Sequence, residues 1–252
     1  MPGIYIMGAI TLVVSALVWG SVLLHYNGRQ VKFLWLLLPG LPLSWAVNVL
    51  VKSPLTAWVG QATGVPLALN PAAPLWFKLY VAFLAPVTEE AVKLLPLVLI
   101  ALALPLLQDR RSALYAGLAL GISFGLGEII YLAYAFGQAP QYATYPWYYF
   151  GGFLTERITV VFAHGALTAI SASGLARGGW WALAGFKAAV LGHAFINLGA
   201  ILIPLRILTP ATAQIPFILA LIALWFIFDR LRKAARPPGE AAAGEEVLFE
   251  RE

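Results

Sequence analysis

The sequence contains no cysteine and unusually little charge. Without cysteine, the chain can form neither a disulfide nor a thiolate metal site, and it has no cysteine nucleophile. Only 11% of its residues are Asp, Glu, Lys or Arg, whereas 61% are hydrophobic. A soluble domain of 252 residues cannot hide so many apolar side chains, so lipid must be the solvent for much of the chain.

The formal net charge is +5, which would be compatible with nucleic acid as a partner. However, the Lys and Arg residues lie mostly in short loops between apolar runs and in the C-terminal tail. At such positions they anchor a chain to anionic lipid and determine its topology. We therefore expect the lipid bilayer as a partner, and no nucleic acid.

Apolar runs of about 20 residues, the length that a spanning helix needs, recur along the chain. They predict an all-α fold, a polytopic transmembrane helix bundle of about seven spans, with residues 1–229 as one transmembrane helical domain. Residues 230–252 are polar and are predicted to be a disordered cytoplasmic tail. The predicted spans are residues 4–26, 33–51, 75–107, 114–137, 158–176, 181–203 and 211–229.

The third of these runs is too long for one straight span. At about 1.5 Å per residue it would reach roughly 50 Å, against a hydrocarbon core of about 30 Å. It also contains Pro86, Pro96 and Pro105, so we predict that it is kinked or broken. Most loop cations fall on the side of the C-terminus, which predicts a cytoplasmic C-terminus and an external N-terminus. We expect the membrane to be a prokaryotic cytoplasmic membrane.

Glu89, Glu90 and Glu128 are the acidic residues that lie away from the ends of the predicted spans. An ionised carboxylate near the bilayer centre costs about 2.5–3.5 kcal/mol, so each should be paired, protonated or in a wet cavity. Glu89 and Lys93 are four residues apart, and this spacing predicts an ion pair. If Lys93 only neutralised Glu89, Glu90 would be unexplained, whereas two carboxylates beside one ammonium can provide a general base or acid.

Two histidines, His164 and His193, also lie within apolar spans, and each has a polar residue four positions later on the same helical face, Thr168 and Asn197 respectively. An imidazole titrates near neutrality and can act as a base, while an Asn amide can donate to a developing oxyanion. A lone His in a helix is otherwise more often a hydrogen-bonded core residue.

Glu128 follows Phe124 by four residues in a glycine-rich helix whose small residues allow another helix to approach closely. An intramembrane Glu of this kind could equally serve as the proton-relay residue of a transporter. Both interpretations place Glu128 in the interior of the bundle.

Three segments carry a resemblance to a known family: TEEAVK (88–93), FGLGE (124–128) and HAFIN (193–197) are similar to the EExxK, FxxxE and HxxxD signatures of the PrsW family of intramembrane proteases. The segment HGALTAI (164–170), which follows Arg157, is similar to the His-x-x-x-Thr segment of that family. Type II CAAX prenyl proteases of the same superfamily carry EExxxR and FxxxH instead, so Lys93 and Glu128 favour the PrsW branch. Asn197 stands where many relatives have Asp.

The resemblance implies that residues 1–229 are a protease domain that hydrolyses peptide bonds in or near the membrane segment of a membrane-protein or peptide substrate. A metal-independent glutamate mechanism is favoured, and zinc is the alternative cofactor. A proton-coupled transporter and a non-catalytic membrane scaffold are the alternative functions. The implied catalytic residues are Glu89, Glu90, Glu128, His164, His193 and Asn197, the supporting residues are Lys93, Phe124 and Thr168, and the possible zinc ligands are Glu89, Glu90, Glu128, His164 and His193.

Overall fold

The computed structural model describes residues 1–26, 31–65, 73–100, 103–203 and 205–235, and within these ranges it contains helices and no β-strand. The expected all-α bundle is therefore confirmed for the described residues. The helices are α1 (Gly3–Tyr26), α2 (Leu37–Ala46), α3 (Ser53–Thr63), α4 (Leu75–Leu99), α5 (Arg110–Gly137), α6 (Gly151–Arg177), α7 (Trp180–Ile196), α8 (Leu198–Leu202) and α9 (Gln214–Ala234).

Within the described residues, five helical stretches are long and apolar enough to cross a membrane, which supports a polytopic membrane protein without confirming seven spans. Among the other predicted spans, α7 has only 17 residues, and α4 has 25 residues but carries Glu89, Glu90 and Lys93 in its middle. The five stretches are Gly3–His25, Phe33–Thr63, Arg110–Gly137, Trp147–Arg177 and Gln214–Ala234.

The second stretch is longer than the predicted span of residues 33–51. A π-helical segment, Val47–Lys52, follows α2 directly and leads into α3, so the chain stays helical to Thr63. Pro54 stands at the start of α3, directly after the π segment, and does not interrupt the stretch. The left-handed Gly64 ends the stretch.

The third predicted run is broken, as its length required. α4 ends at Leu99, the backbone of Ile100 is extended, and a separate 3₁₀ turn, Leu104–Leu107, follows. Pro86 and Pro96 lie inside α4 without ending it. Residues 101–102 lie outside the described ranges.

Near the C-terminus, α7 ends at Ile196 within the predicted span of residues 181–203. The last helix, α9, continues past residue 229 to Ala234, where Asp229 pairs with Arg232 and Lys233. The remainder of the predicted disordered tail, from residue 236 onward, lies outside the described residues.

Helix α5 occupies the centre of the bundle and is buried along most of its length. Its glycines allow the close approach of α6 that the sequence predicted. A Cβ atom at Gly117 would lie 2.7 Å from the carbonyl oxygen of Thr168, and one at Gly125 would lie 2.9 Å from Cα of Val161. Backbone thus packs directly on backbone, and this contact fixes Glu128 of α5 beside the histidine of α6.

The start of α1, the end of α5 and the start of α6 meet at one end of the bundle. Gly3 lies against the backbone of residues 145–147, and Gly137 lies against the ring of Tyr5. We call this the aromatic end, because it is rich in Tyr and Trp, the residues that are enriched at membrane–water interfaces. Its rings are Tyr142, Tyr145, Trp147, Tyr148, Tyr149 and Phe150.

Candidate functional site

The predicted acids and histidines converge in the interior of the bundle, although they come from four helices. Helix α4 contributes two carboxylates and an ammonium, and α5, α6 and α7 contribute one group each. Two cations that lie just outside the predicted spans complete the group. Lys52 comes from the π segment, and Arg157 comes from α6. We call these eight residues the charged cluster: Lys52, Glu89, Glu90, Lys93, Glu128, Arg157, His164 and His193.

The predicted ion pair between Glu89 and Lys93 is wrong. The Lys93 ammonium lies 2.6 Å from Oε1 of Glu90, three residues earlier, and Glu89 instead accepts from Lys52, with 2.6 Å between Nζ and Oε1. Spacings of three and four residues both bring side chains together on a helix, so the sequence alone does not select between the two partners. The choice is made by Lys52, which approaches α4 from a neighbouring helix.

His193 joins the two carboxylates of α4. Its Nδ1 lies 2.7 Å from Oε1 of Glu90, and because a carboxylate only accepts, the imidazole N–H donates there. The other ring nitrogen, Nε2, lies 3.8 Å from Oε2 of Glu89. In a neutral imidazole with hydrogen on Nδ1, Nε2 carries a lone pair.

The second oxygens of Glu89 and Glu90 are buried and have no hydrogen-bond partner among the described residues. A buried acceptor without a partner is costly, and such atoms commonly mark the place of a water or a reacting group. The one hydrogen bond of the His193 side chain among the described residues is made by Nδ1, so in the neutral imidazole Nε2 is a free acceptor beside Oε2 of Glu89.

His164 is held at both nitrogens. Its Nδ1 lies 3.1 Å from the Lys93 ammonium, which can only donate, so Nδ1 accepts and Nε2–H donates to Oε2 of Glu128 at 3.2 Å. The Phe124 ring packs edge-on against the imidazole, with 5.1 Å between ring centroids, and the Lys93 ammonium is 5.1 Å from the centre of the same ring. Lys93 and Phe124 thus lie against His164 and against each other, and their supporting roles stay a prediction.

Thr168 supports the site only through the backbone. Its hydroxyl donates to the carbonyl oxygen of His164 at 2.8 Å, and it does not bond the imidazole within the described structure. This hydrogen bond lies within one turn of α6 and holds no reacting group directly.

Asn197 lies directly after the end of α7, one helical turn beyond His193. Helix α7 ends one residue earlier, and the Asn197 backbone N–H donates to the carbonyl oxygen of His193 at 3.0 Å. The side chain is half-buried, and the hydrogen bonds of the described residues do not join it to the charged cluster. Its donation to an oxyanion stays a prediction.

Sequence reasoning missed Lys52 and Arg157 as members of the site. Arg157 NH1 lies 2.8 Å from Oε2 of Glu128, and NH2 contacts the exposed Glu156 at 2.5 Å. A charge count would have shown that two further cations were needed, because three acids inside the spans had only Lys93 to balance them, but it would not have identified which two.

The charged cluster has a closed floor and a more open rim. The floor residues are almost completely shielded from solvent, whereas the rim side chains are 14–18% exposed. Arg157 belongs to the first turns of α6, so the rim faces the aromatic end. The floor residues are Glu89, Glu90, Lys93, His164 and His193, and the rim residues are Lys52, Glu128 and Arg157.

A possible metal-binding group lies within the floor. Glu89, His164 and His193 can each offer one ligand atom, and these atoms lie within 4.8 Å of one another. One carboxylate with two imidazoles is a common ligand set for zinc. In the arrangement observed, however, both nitrogens of His164 are engaged by Lys93 and Glu128, so a metal would have to displace one of them.

Comparison of the chain with protein-family models, with curated proteins and with solved structures found no match. The relation to the PrsW family therefore rests on the four short segments quoted above.

Proposed function

We propose that the chain is an intramembrane protease of the PrsW type, which hydrolyses a peptide bond in or near the membrane segment of another membrane protein. The observation that carries this proposal is the pair of free acceptors, Oε2 of Glu89 and Nε2 of His193, buried side by side among long apolar helices. A carboxylate and an imidazole in reach of one water are the components of general-base hydrolysis.

The two acceptors are spaced to orient one water molecule. Nε2 and Oε2 are 3.8 Å apart, so a water beside both can donate one hydrogen to each, leaving an oxygen lone pair directed away from them. That lone pair is the nucleophile for a peptide carbonyl entering from the rim.

In the proposed reaction, this chain's own groups take up and return the proton that is moved. The water oxygen bonds to the carbonyl carbon as Glu89 takes a proton, and the carbonyl oxygen becomes an oxyanion. When the tetrahedral intermediate collapses, the C–N bond breaks and Glu89 returns the proton to the leaving nitrogen. The Asn197 amide is the proposed donor to the oxyanion.

The remaining groups of the charged cluster hold this pair in place. Glu90 fixes the tautomer of His193 by accepting from Nδ1, and Lys93 neutralises Glu90 and bridges to His164. Such hydrogen bonds around an imidazole set both its orientation and the nitrogen that remains available. Glu128 completes the chain by accepting from His164.

We propose that this hydrolysis is metal-independent. If a divalent ion bound, Glu89, His164 and His193 would hold it, and it would supply Lewis-acid activation of water. Against this, the cluster already balances three carboxylates with Lys52, Lys93 and Arg157, and a divalent ion would add uncompensated charge to a buried site. Elemental analysis should find no stoichiometric metal, and chelator should leave the rate unchanged; loss of activity to chelator with recovery on zinc would contradict this.

A proton-coupled transporter is the second candidate, and one observation favours it. Glu128, His164, Lys93, Glu90 and His193 form an unbroken series of titratable groups from the rim to the floor. Such series carry protons in pumps and transporters.

The deciding experiment uses the purified chain reconstituted in vesicles with a transmembrane peptide, and products identified by mass spectrometry. The wild type should cleave the peptide and Glu89→Gln should not, because an amide cannot accept the proton. Asp229→Asn is the matched control, since it makes the same chemical change in α9, outside the charged cluster. Proton flux without cleavage would favour the transporter, and neither activity would favour a scaffold.

A further inference from the structure

The helical stretch Phe33–Thr63 changes its inward face part of the way along. Before the change, the buried positions are three and four residues apart, as in an α-helix, and they are Gly40, Ser44 and Val47. The same spacing continued would turn position 58 inward. Instead, Trp58 is 67% exposed and Gly60 is buried.

The π segment Val47–Lys52 produces this change. Its wider turn is closed by the N–H of Ser53, which donates to the carbonyl oxygen of Asn48, five residues earlier. A π turn accommodates one additional residue, so each later residue is rotated by about 100° relative to a continuous α-helix. The inward position thereby moves from Val51 to Lys52, and the lysine points at α4.

Lys52 makes the one hydrogen bond that the Glu89 carboxylate has among the described residues. The ammonium holds Oε1 at 2.6 Å, while Oε2 has no partner and lies 3.8 Å from Nε2 of His193. A carboxylate bonded at one oxygen has its plane set by that bond. Without Lys52, the carboxylate could rotate and exchange its oxygens, and the adjacent free acceptors would no longer be maintained.

We propose that Lys52, turned inward by the π segment, is a positioning residue that holds Oε1 of Glu89 so that Oε2 remains beside His193 as the base for water. This rests on the proposed function. Lys52 touches no reacting atom and acts through Glu89. π turns inside α-helices are frequent at functional sites. Here the π segment directs Lys52 toward α4, whereas a continuous α-helix would direct it away.

The expected signature is a loss in turnover without a loss in substrate binding. Lys52→Met should lower kcat by roughly 10²-fold with KM little changed, because misplacement of a reacting group by about 1 Å costs that much. Lys52→Arg should retain part of the activity. Exchanging the residue with its exposed neighbour, by Lys52→Ser with Ser53→Lys, keeps the composition and charge but should be as slow as Lys52→Met.

The absence of cysteine allows a chemical rescue without any background labelling. Lys52→Cys should be slow, and alkylation with 2-bromoethylamine should restore turnover, since it rebuilds a side chain of lysine length that ends in a primary amine. Alkylation with iodoacetamide fills similar space without an ammonium and should not restore it. Equal recovery with both reagents would overturn the proposal, because packing alone would then explain Lys52.

A thermal-unfolding cycle in detergent tests the pair independently of hydrolysis. Lys52→Met and Glu89→Gln should each lower the Tm, and the double variant should lower it by less than the sum of the two. Additive shifts, or a Lys52→Met variant with wild-type kcat, would overturn the role of Lys52. If the wild type itself does not cleave while the two Tm shifts are coupled, the proposed protease function fails and the ion pair alone stands.

Discussion

The floor and the rim of the charged cluster contain the same kind of ion pair in different surroundings. In the floor, Lys93 and Glu90 are 2.6 Å apart with side chains 0% exposed; at the rim, Arg157 and Glu128 are 2.8 Å apart and 14% and 16% exposed. Both the attraction between charges and the cost of leaving one unpaired increase with burial. Similar geometry should therefore have larger consequences in the floor.

In the proposed reaction, the floor and the rim have different tasks. The floor holds the free acceptors of Glu89 and His193, which must be shielded to keep one water in one orientation. In the proposed reaction, water and a peptide would enter past the rim, whose side chains are partly exposed. Substitutions in the two regions should separate chemistry from access.

The largest expected effect is on turnover, from a change at the floor. His193→Gln removes the lone pair of Nε2, so kcat for a transmembrane peptide should fall by roughly 10²–10⁴-fold. The measurement is the initial cleavage rate in vesicles, with helix content checked by circular dichroism. His25→Gln, at the end of α1, is the matched control and should cleave at the wild-type rate. A His193→Gln variant as fast as the wild type would contradict the assignment.

The next effect is on stability. Lys93→Met should lower the free energy of unfolding by about 3–5 kcal/mol, because it leaves the buried Glu90 carboxylate without its cation. Denaturant unfolding in mixed micelles measures it, and the exposed Lys187→Met serves as control. Adding Glu90→Gln to Lys93→Met should recover part of the loss. If Lys93→Met had the same free energy of unfolding as the wild type, the ion pair with Lys93 would not be needed to keep the Glu90 carboxylate buried.

The corresponding change at the rim should be milder. Arg157→Met removes a charged hydrogen bond, which typically contributes about 1.5–3 kcal/mol, and Glu128 retains His164 and access to water. Both the loss of stability and the loss of turnover should be smaller than for Lys93→Met and His193→Gln, measured in the same two assays. An Arg157→Met variant less stable than Lys93→Met would reverse the distinction between floor and rim.

The floor was the part of the site that could be predicted from the sequence. Its residues stand on α4, α6 and α7 at spacings that define helical faces, and charged or imidazole groups in apolar runs must seek one another. The close approach of another helix to the glycines of α5 was equally predictable, since it follows from local composition.

Of the rim residues, Glu128 was predicted from the sequence, whereas the two cations Lys52 and Arg157 could not be identified, for reasons specific to each. The polar sequence of residues 155–157 suggested a loop, but α6 begins at Gly151 and carries Arg157 into the bundle. Lys52 is turned inward by a π segment, VNVLVK, in which no residue type marks the extra residue. The pairing of Glu89 with Lys52 then changed the partner of Lys93, a tertiary effect that spacing on α4 does not encode.

The mildest changes are single cysteine substitutions, which test the side of the membrane that the rim faces. Arg110 and Arg111 begin α5 and Arg177 ends α6, all at the end opposite the aromatic end, so the excess of positive charge predicts that the aromatic end is external. Gly152 has open space where a Cβ would be added, and Ala234 is exposed at the end of α9, so single cysteines at both should leave the fold and the activity intact. A membrane-impermeant maleimide added outside intact cells should label Gly152→Cys and not Ala234→Cys. The opposite pattern would place the rim in the cytoplasm, and a substrate would then have to reach the floor from inside the cell.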